Sequence, residues 1–146
     1  MAQPEVSLDM ANRFKDFAEA CATFSREIAH IAHLLPTPNT DENMQLNLRI
    51  ARTMFGKWSV DIATLLYARK SAGYQELKNA LGGISSHVLS SKLGRMEQQG
   101  LVERTVLKTK PPRVRYSLTE KGLRAAKLGE PLFLYLRLTE GYLMLG

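Results

Sequence analysis

The stretch Gly82-Gly83-Ile84-Ser85-Ser86-His87-Val88-Leu89-Ser90-Ser91-Lys92-Leu93-Gly94-Arg95-Met96-Glu97-Gln98-Gln99-Gly100 decides the fold. Two glycines make a tight turn, Ser85 offers an N-cap hydroxyl, and Leu89, Leu93 and Met96 recur at helical spacing. Ile84 before the cap and Leu89 in the second helical turn can close on each other as a hydrophobic staple. Gly100 is placed to end the helix, where a positive φ is needed. Upstream, Tyr74, Leu77 and Leu81 share one face of a shorter helix after Ser71-Ala72-Gly73. Two short helices joined by a glycine turn, the second firmly capped, predict a helix-turn-helix.

Downstream the pattern turns to β. Residues 101–107 and 113–118 are rich in Val, Leu, Thr and Tyr, and Val114, Tyr116 and Leu118 alternate with Arg113, Arg115 and Ser117. Between them Lys108-Thr109-Lys110-Pro111-Pro112 reads as a positively charged hairpin tip. Thr119 can cap a further helix through Ala126, and Pro131 is expected to open a last apolar segment, Leu132 to Leu145. Upstream of the pair, Leu46, Ile50, Met54 and Phe55, then Trp58, Ile62, Leu65 and Leu66, give two helical stretches with Gly56 as a bend. The order helix, helix-turn-helix, hairpin, helix is that of a winged helix: a mostly α fold with a small β-hairpin wing.

The N-terminal part has a different character. Met10, Phe14, Phe17, Cys21, Phe24, Ile28, Ile31 and Leu35 are spaced alternately by four and three, the apolar seam of four unbroken heptads. Ser7 can cap the start, and Pro36 and Pro38 stop it, which predicts a helix of about 29 residues, roughly 43 Å long. A domain of about 100 residues cannot cover so long a seam. A helix folded back on its own domain and a seam shared with a second copy are both open, and the second accounts for more of its length. Residues 36–41 read as a linker. The expected organisation is thus a helical extension over 1–40, a winged helix over 41–128 and an apolar segment over 129–146, the first and last serving dimerisation.

With 146 residues, 45% of them hydrophobic, the chain can build one main core. No apolar run reaches the ~18 to 20 residues of a bilayer span, and nothing at the start resembles a secretory signal, so neither a membrane nor secretion is expected. One cysteine and three histidines offer no internal disulfide and no zinc spacing. A cytoplasmic protein without metal or cofactor is expected. The charge is divided: residues 1–44 carry −4 and residues 45–146 carry +10, which sum to the formal +6 of the chain. The asymmetry predicts a polyanion partner for the second part.

With Leu89, Leu93 and Met96 inward, His87, Ser91, Gly94 and Gln98 point outward, flanked by Ser90 and Arg95. Small hydroxyls and a glycine would let this helix approach a major groove, where Ser and His can bond base edges and Arg can pair with guanine or phosphate. A solvated surface helix would tolerate the same residues. The surrounding charge discriminates: residues 85–115 hold Lys92, Arg95, Arg104, Lys108, Lys110, Arg113 and Arg115 against Glu97 and Glu103, a local +5 on the elements that would meet DNA. The expected DNA contacts are Ser86, His87, Ser90, Ser91, Lys92, Arg95, Lys108, Lys110, Arg113 and Arg115. Trp58 reads as core, and Lys57 beside it as a surface charge or a phosphate contact. Neither a phosphate-binding glycine loop nor a nucleophile with its base can be placed, so no catalytic residue is assigned.

Gly56-Lys57-Trp58, Tyr74-Gln75-Glu76-Leu77, Gly83-Ile84-Ser85, Val88-Leu89-Ser90, Leu93, Gly100-Leu101-Val102-Glu103-Arg104, Pro111-Pro112-Arg113-Val114 and Tyr116-Ser117-Leu118-Thr119-Glu120-Lys121-Gly122 together resemble the HxlR-type winged helix-turn-helix regulators, relatives of the MarR proteins. The resemblance spans roughly residues 45–128. It implies a homodimeric regulator of transcription with a reading helix near 85–99 and a wing near 104–116, acting on double-stranded DNA. The long helix before residue 40 is not part of the usual pattern. Family members often carry a sensing cysteine about a dozen residues before Gly-Lys-Trp. This chain has Gln45 in that region, and Cys21 lies on the seam, where a small hydrophobe needs no further role. His87, Gly94 and Arg95 stand where the family commonly has basic, basic and acidic residues, so the operator does not carry over and an effector remains unidentified. A winged-helix module binding an acidic protein, and a nonspecific nucleic-acid binder, are the alternatives.

Overall fold

The computed structural model describes residues 7–33 and 41–141. In chain order the elements are α1 (Leu8–Ile31), α2 (Asp41–Met54), α3 (Ser59–Arg69), β1 (Ser71–Gly73), α4 (Tyr74–Ala80), α5 (Ser86–Gln98), β2 (Val102–Leu107), β3 (Arg113–Leu118) and α6 (Glu120–Thr139). The described residues fall into two compact units, one of Ile50–Gly129 and one of those up to Arg49 with those from Glu130 on.

The unit of Ile50–Gly129 holds the core. Ile62 and Leu66 of α3, Leu77 of α4, Leu89, Leu93 and Met96 of α5, Val102 of β2 and Tyr116 of β3 are buried together with Ala72, Leu81 and Ile84. Each fully enclosed Leu or Ile stabilises the fold by ~1.5 to 3 kcal/mol. The α5 stripe predicted to face inward does so, and Ile84 is buried in the same cluster as Leu89, as the staple requires. Ser85 accepts the Val88 N–H at 3.1 Å, confirming the N-cap. At the other end Leu101 N–H bonds to Met96 C=O at 3.0 Å and Gly100 N–H to Glu97 C=O at 2.9 Å, with Gly100 at φ 73. That is the paired closure of a Schellman motif, which needs a left-handed residue at this position.

The wing hairpin forms as expected, with Val102 opposite Leu118, Arg104 opposite Tyr116 and Leu107 opposite Arg113. It gains a third strand: the sheet order is β1-β3-β2, and Ala72 of β1 lies buried opposite Tyr116. The sequence predicts only the hairpin here. Three residues are too few for alternation to register, and the pairing is supplied by β3, far along the chain.

Thr119 begins α6 as predicted, accepting the Gly122 N–H at 3.0 Å, while its hydroxyl donates to the Gly100 carbonyl. Gly122 is buried against this junction, and a Cβ there would run into the Leu101 carbonyl oxygen. Only glycine fits so close a backbone approach. Contrary to expectation, α6 does not stop near Ala126 and restart at Pro131 but continues through the proline to Thr139. Pro131 removes one backbone bond, and the Leu-rich turns that follow it keep the helix unbroken. The part of the predicted segment from residue 142 on lies outside the described residues.

The other unit contains α1, most of α2 and the end of α6. Ser7 caps α1 by accepting the Met10 N–H at 3.2 Å, as predicted. The helix is shorter than expected, 24 residues or roughly 36 Å, because it closes at Ala32 before the prolines are reached. Leu35 and residues 36–40 of the expected linker lie outside the described residues, and Asp41, also assigned to the linker, starts α2. Neither α1 nor α2 buries a single residue within the chain. The seam is divided: Phe14 packs its ring on Tyr135 of α6, centroids 5.2 Å apart, whereas Phe24, Ile28 and Ile31 are 59%, 42% and 70% exposed.

A candidate nucleic-acid interface on helix α5 and the wing

The second helix of the helix-turn-helix is held to the first by a small polar clamp. The Tyr74 hydroxyl at the start of α4 donates to the Ser86 carbonyl at 2.9 Å and lies 3.1 Å from the Ser90 hydroxyl. Lys78, one turn further along α4, donates to the Ser86 hydroxyl at 2.8 Å. Ser86 and Ser90, two of the expected base-reading residues, therefore have partners within the chain. His87, Ser91 and Arg95 have none among the hydrogen bonds and ion pairs of the described residues, and all three are exposed. Gly94 lies beside them, and a Cβ at that position would meet nothing within 4 Å. The outward face of α5 is thus smooth along Gly94 and carries an imidazole, a hydroxyl and a guanidinium.

The wing places Lys108, Lys110 and Arg113 in solvent at and beside the hairpin tip, with Arg104 exposed on β2. Thr109 fastens the tip internally by donating to the Pro111 carbonyl at 2.8 Å. Glu103, one of the two acidic groups in this stretch, is engaged by the Ser117 hydroxyl at 3.3 Å. The exposed cations are not neutralised by ion pairs among the described residues, which leaves a positive potential over the tip.

Two expected contacts stand apart. Arg115 is half-buried, donates to Glu76 of α4 at 3.0 Å and reaches the Ser71 hydroxyl of β1 at 3.0 Å, so its charge already has partners within the chain. Glu76 is the third residue of α4 and also accepts from the Gly73 backbone N–H. It closes the helix start as the acidic half of a capping box whose cap residue, a glycine, has no side chain to return the bond. Lys92 is also half-buried, its ammonium beside Gly56 rather than on the outward face of α5.

Near that turn, Trp58 sits in the left-handed region at φ 76 immediately before α3 and packs half-buried against the core. Trp58 is thus the cap residue of α3 rather than part of the helix, and it still packs on the core with Ile62 and Leu66, as expected. The Lys57 ammonium stands 5.3 Å above its ring, a cation–π contact. Phe55, counted in the helical stripe before the bend, is 64% exposed. Sequence reasoning missed Tyr74, Lys78 and Glu76 as the residues that position α5 and the sheet. The Tyr-Gln-Glu-Leu landmark was visible, but the polar bonds it makes depend on the turn bringing α5 back over α4.

Residues 53–132, more than half of the chain, match the family model described as HxlR-like helix-turn-helix. The chain belongs to that family. Among curated relatives, an uncharacterized HTH-type transcriptional regulator of Halalkalibacterium halodurans is 42% identical over 66 residues, 45% of this chain and 58% of the relative. YvaP of Bacillus subtilis, likewise an uncharacterized HTH-type transcriptional regulator, is 43% identical over 61 residues, 41% of this chain and 56% of its own. The chain thus spans less than two thirds of these relatives. A solved structure from Enterococcus faecalis V583, described as a candidate transcriptional regulator of the MarR family, superposes at a TM-score of 0.58 with 33% identity, covering 69% of this chain and 90% of that one. The reduced form of the regulator YodB from B. subtilis gives 0.55 with 27% identity, over 62% and 89%. The HxlR-like fold and its three-stranded wing sheet are therefore those of a MarR-like winged helix, to which α1 is added outside the matched residues. Among the described residues no helix is long and apolar enough to cross a membrane.

Proposed function

We propose that this HxlR-like chain is a transcription regulator of the cytoplasm that binds a two-fold-related double-stranded DNA site as a homodimer. The observation that carries the reading is the meeting, on one capped helix and one hairpin, of free base-reading groups with cations that no carboxylate offsets. His87, Ser91 and Arg95 are assigned to base edges in the major groove, and Lys108, Lys110 and Arg113 to phosphates and the adjacent minor groove. Ser86, Ser90, Lys92 and Arg115 are assigned to setting the pose of α5 and the wing, given the partners and placements described for them.

Dimerisation is assigned to the extension and to the apolar end of α6. Phe24, Ile28 and Ile31 of α1, Leu46 and Ile50 of α2 and Phe133 of α6 are all exposed within one chain. So much apolar side chain in water is costly and favours burial against a second copy. Two copies related by a two-fold axis would present two α5 helices to half-sites one turn apart.

Retention of one labelled genomic fragment in excess bulk DNA, followed by footprinting of that fragment, is the deciding experiment. A protected, two-fold-related site supports the reading. Binding that bulk DNA competes away without residue favours a nonspecific nucleic-acid binder. Failure to retain DNA, with retention of an acidic protein segment, favours the interaction module.

A further inference from the structure

We infer that the cleft between the start of α1 and the end of α6 is a binding site for a small amphiphile with an apolar body and a carboxylate head. The cleft is open, with Met10, Phe17 and Leu134 39%, 49% and 40% exposed, and its volume is about 630 Å³, within the range of ~300 to 1,000 Å³ usual for small-molecule sites. Met10, Phe14 and Phe17 line one side and Pro131, Leu134 and Leu138 the other. The contact between Phe14 and Tyr135 closes one boundary with aromatic surface. Arg13, exposed to solvent, is the one charged side chain among the described residues that line it.

Arg13 is what selects the occupant. Among the described residues no acidic one lines the cleft and Arg13 makes no ion pair, although Asp9 and Asp16 flank it on the same helix. A guanidinium offers a planar fork of donors that a carboxylate meets with two parallel bonds. A second copy of the chain would cover an open helix face, as at Phe24 and Ile28, and would leave this cation buried against apolar side chains unless it brought its own carboxylate. A free fatty-acid-like molecule satisfies both the apolar walls and the charge. The site uses α1, which lies outside the residues matched to the family, and it does not depend on the DNA-binding reading.

The test is equilibrium dialysis of isotope-labelled decanoate against the full chain in the absence of DNA, below the concentration at which decanoate forms micelles. Decanoate should bind saturably, one molecule per chain, and decanol of equal length should bind more weakly. Arg13→Gln should weaken decanoate by roughly 3- to 10-fold, a factor corresponding to an exposed or partly desolvated charge-assisted pair, and leave decanol unchanged. Arg13→Lys should restore part of the loss. Leu134→Trp, which fills the cleft with apolar bulk, should abolish binding of both while the circular dichroism spectrum is kept. Absence of saturable decanoate binding overturns the proposal, as does equal affinity for decanoate and decanol. Binding that appears only on dilution to the monomer assigns the cleft to the second copy and overturns it as well.

Discussion

Arg115 of β3 holds Glu76 of α4 at 3.0 Å, and the same guanidinium reaches the Ser71 hydroxyl of β1. One side chain thereby ties the wing sheet to the first helix of the helix-turn-helix. An arginine that looks, in sequence, like one more cation of the wing is also a fastener between the two parts that would have to meet DNA together.

The Arg115 hydrogen bond, with the Gly73 backbone N–H as a second donor, holds the Glu76 carboxyl below its ordinary value of 4.5. A carboxyl depressed in the folded state adds stability that is fully present above its unfolded value and is lost as pH falls through the folded one. Glu76→Gln should therefore melt below the wild type at neutral pH, and the two curves should converge as pH is taken below 4.5. Melting temperature followed against pH is the measurement, and a constant separation down to acid pH would deny Glu76 this role. The group is exposed, so the effect should be modest and should shrink in high salt.

Replacing Lys108, Lys110 and Arg113 by Ala should weaken binding on every DNA sequence. All three are exposed and stand outside the buried core cluster, so the melting temperature should hardly change. For every phosphate left without its cation, the slope of log affinity against log salt should fall by roughly 0.9. A triple variant with the parent slope would take the wing out of the interface.

On α5 the expected effect is selective. Substituting Arg95 should cost ~1 to 3 kcal/mol at one base pair of the cognate site if its guanidinium pairs there, and much less on random DNA. His87→Ala and Ser91→Ala should relax preference in the same sense. Selection of bound sequences from a random pool reads this directly, and an unchanged consensus for all three variants would show that they only touch the backbone.

Phe24→Ser and Ile28→Ser alter residues that are exposed in the single chain, so folding of the winged helix should be untouched. Enclosing such side chains in an interface is worth ~1.5 to 3 kcal/mol each, so the double variant should raise the dimer dissociation constant by roughly 100-fold or more. Affinity for a two-fold site should fall with it, since both half-sites are then no longer held at once. Sedimentation equilibrium gives the first quantity; a double variant that stays as dimeric as the parent would place the interface elsewhere.

The helix-turn-helix was legible because its signals are local: a capping serine, a glycine stop and three apolar residues on one face all lie within the same nineteen positions. The hairpin was legible for the same reason. What the sequence withheld depends on distant partners. The strand Ser71–Gly73 exists because β3 lies beside it, 44 residues away in the bond from Arg115 to Ser71. Tyr74 shows its hydroxyl's use only when Ser86 and Ser90 are brought over it. Pro131 locally signals a boundary, and the apolar turns after it prevail over that signal. In the seam the periodicity from Met10 to Ile31 is that of the helix observed, yet periodicity alone does not tell that Phe14 faces α6 while Phe24 faces water.

Helix α1 has 24 residues and buries none of them within its own chain. In proteins most of a helix's stability comes from packing its apolar face rather than from local propensity. If the missing support comes from a second copy, the form able to engage both halves of a two-fold site accumulates, at low abundance, with the square of the amount of chain present. A cell that doubles the supply of such a chain would then gain about four times the paired species, by mass action. The sparseness of packing on α1 would in this way turn gene dosage and synthesis rate into a steep input to regulation, with no further device needed.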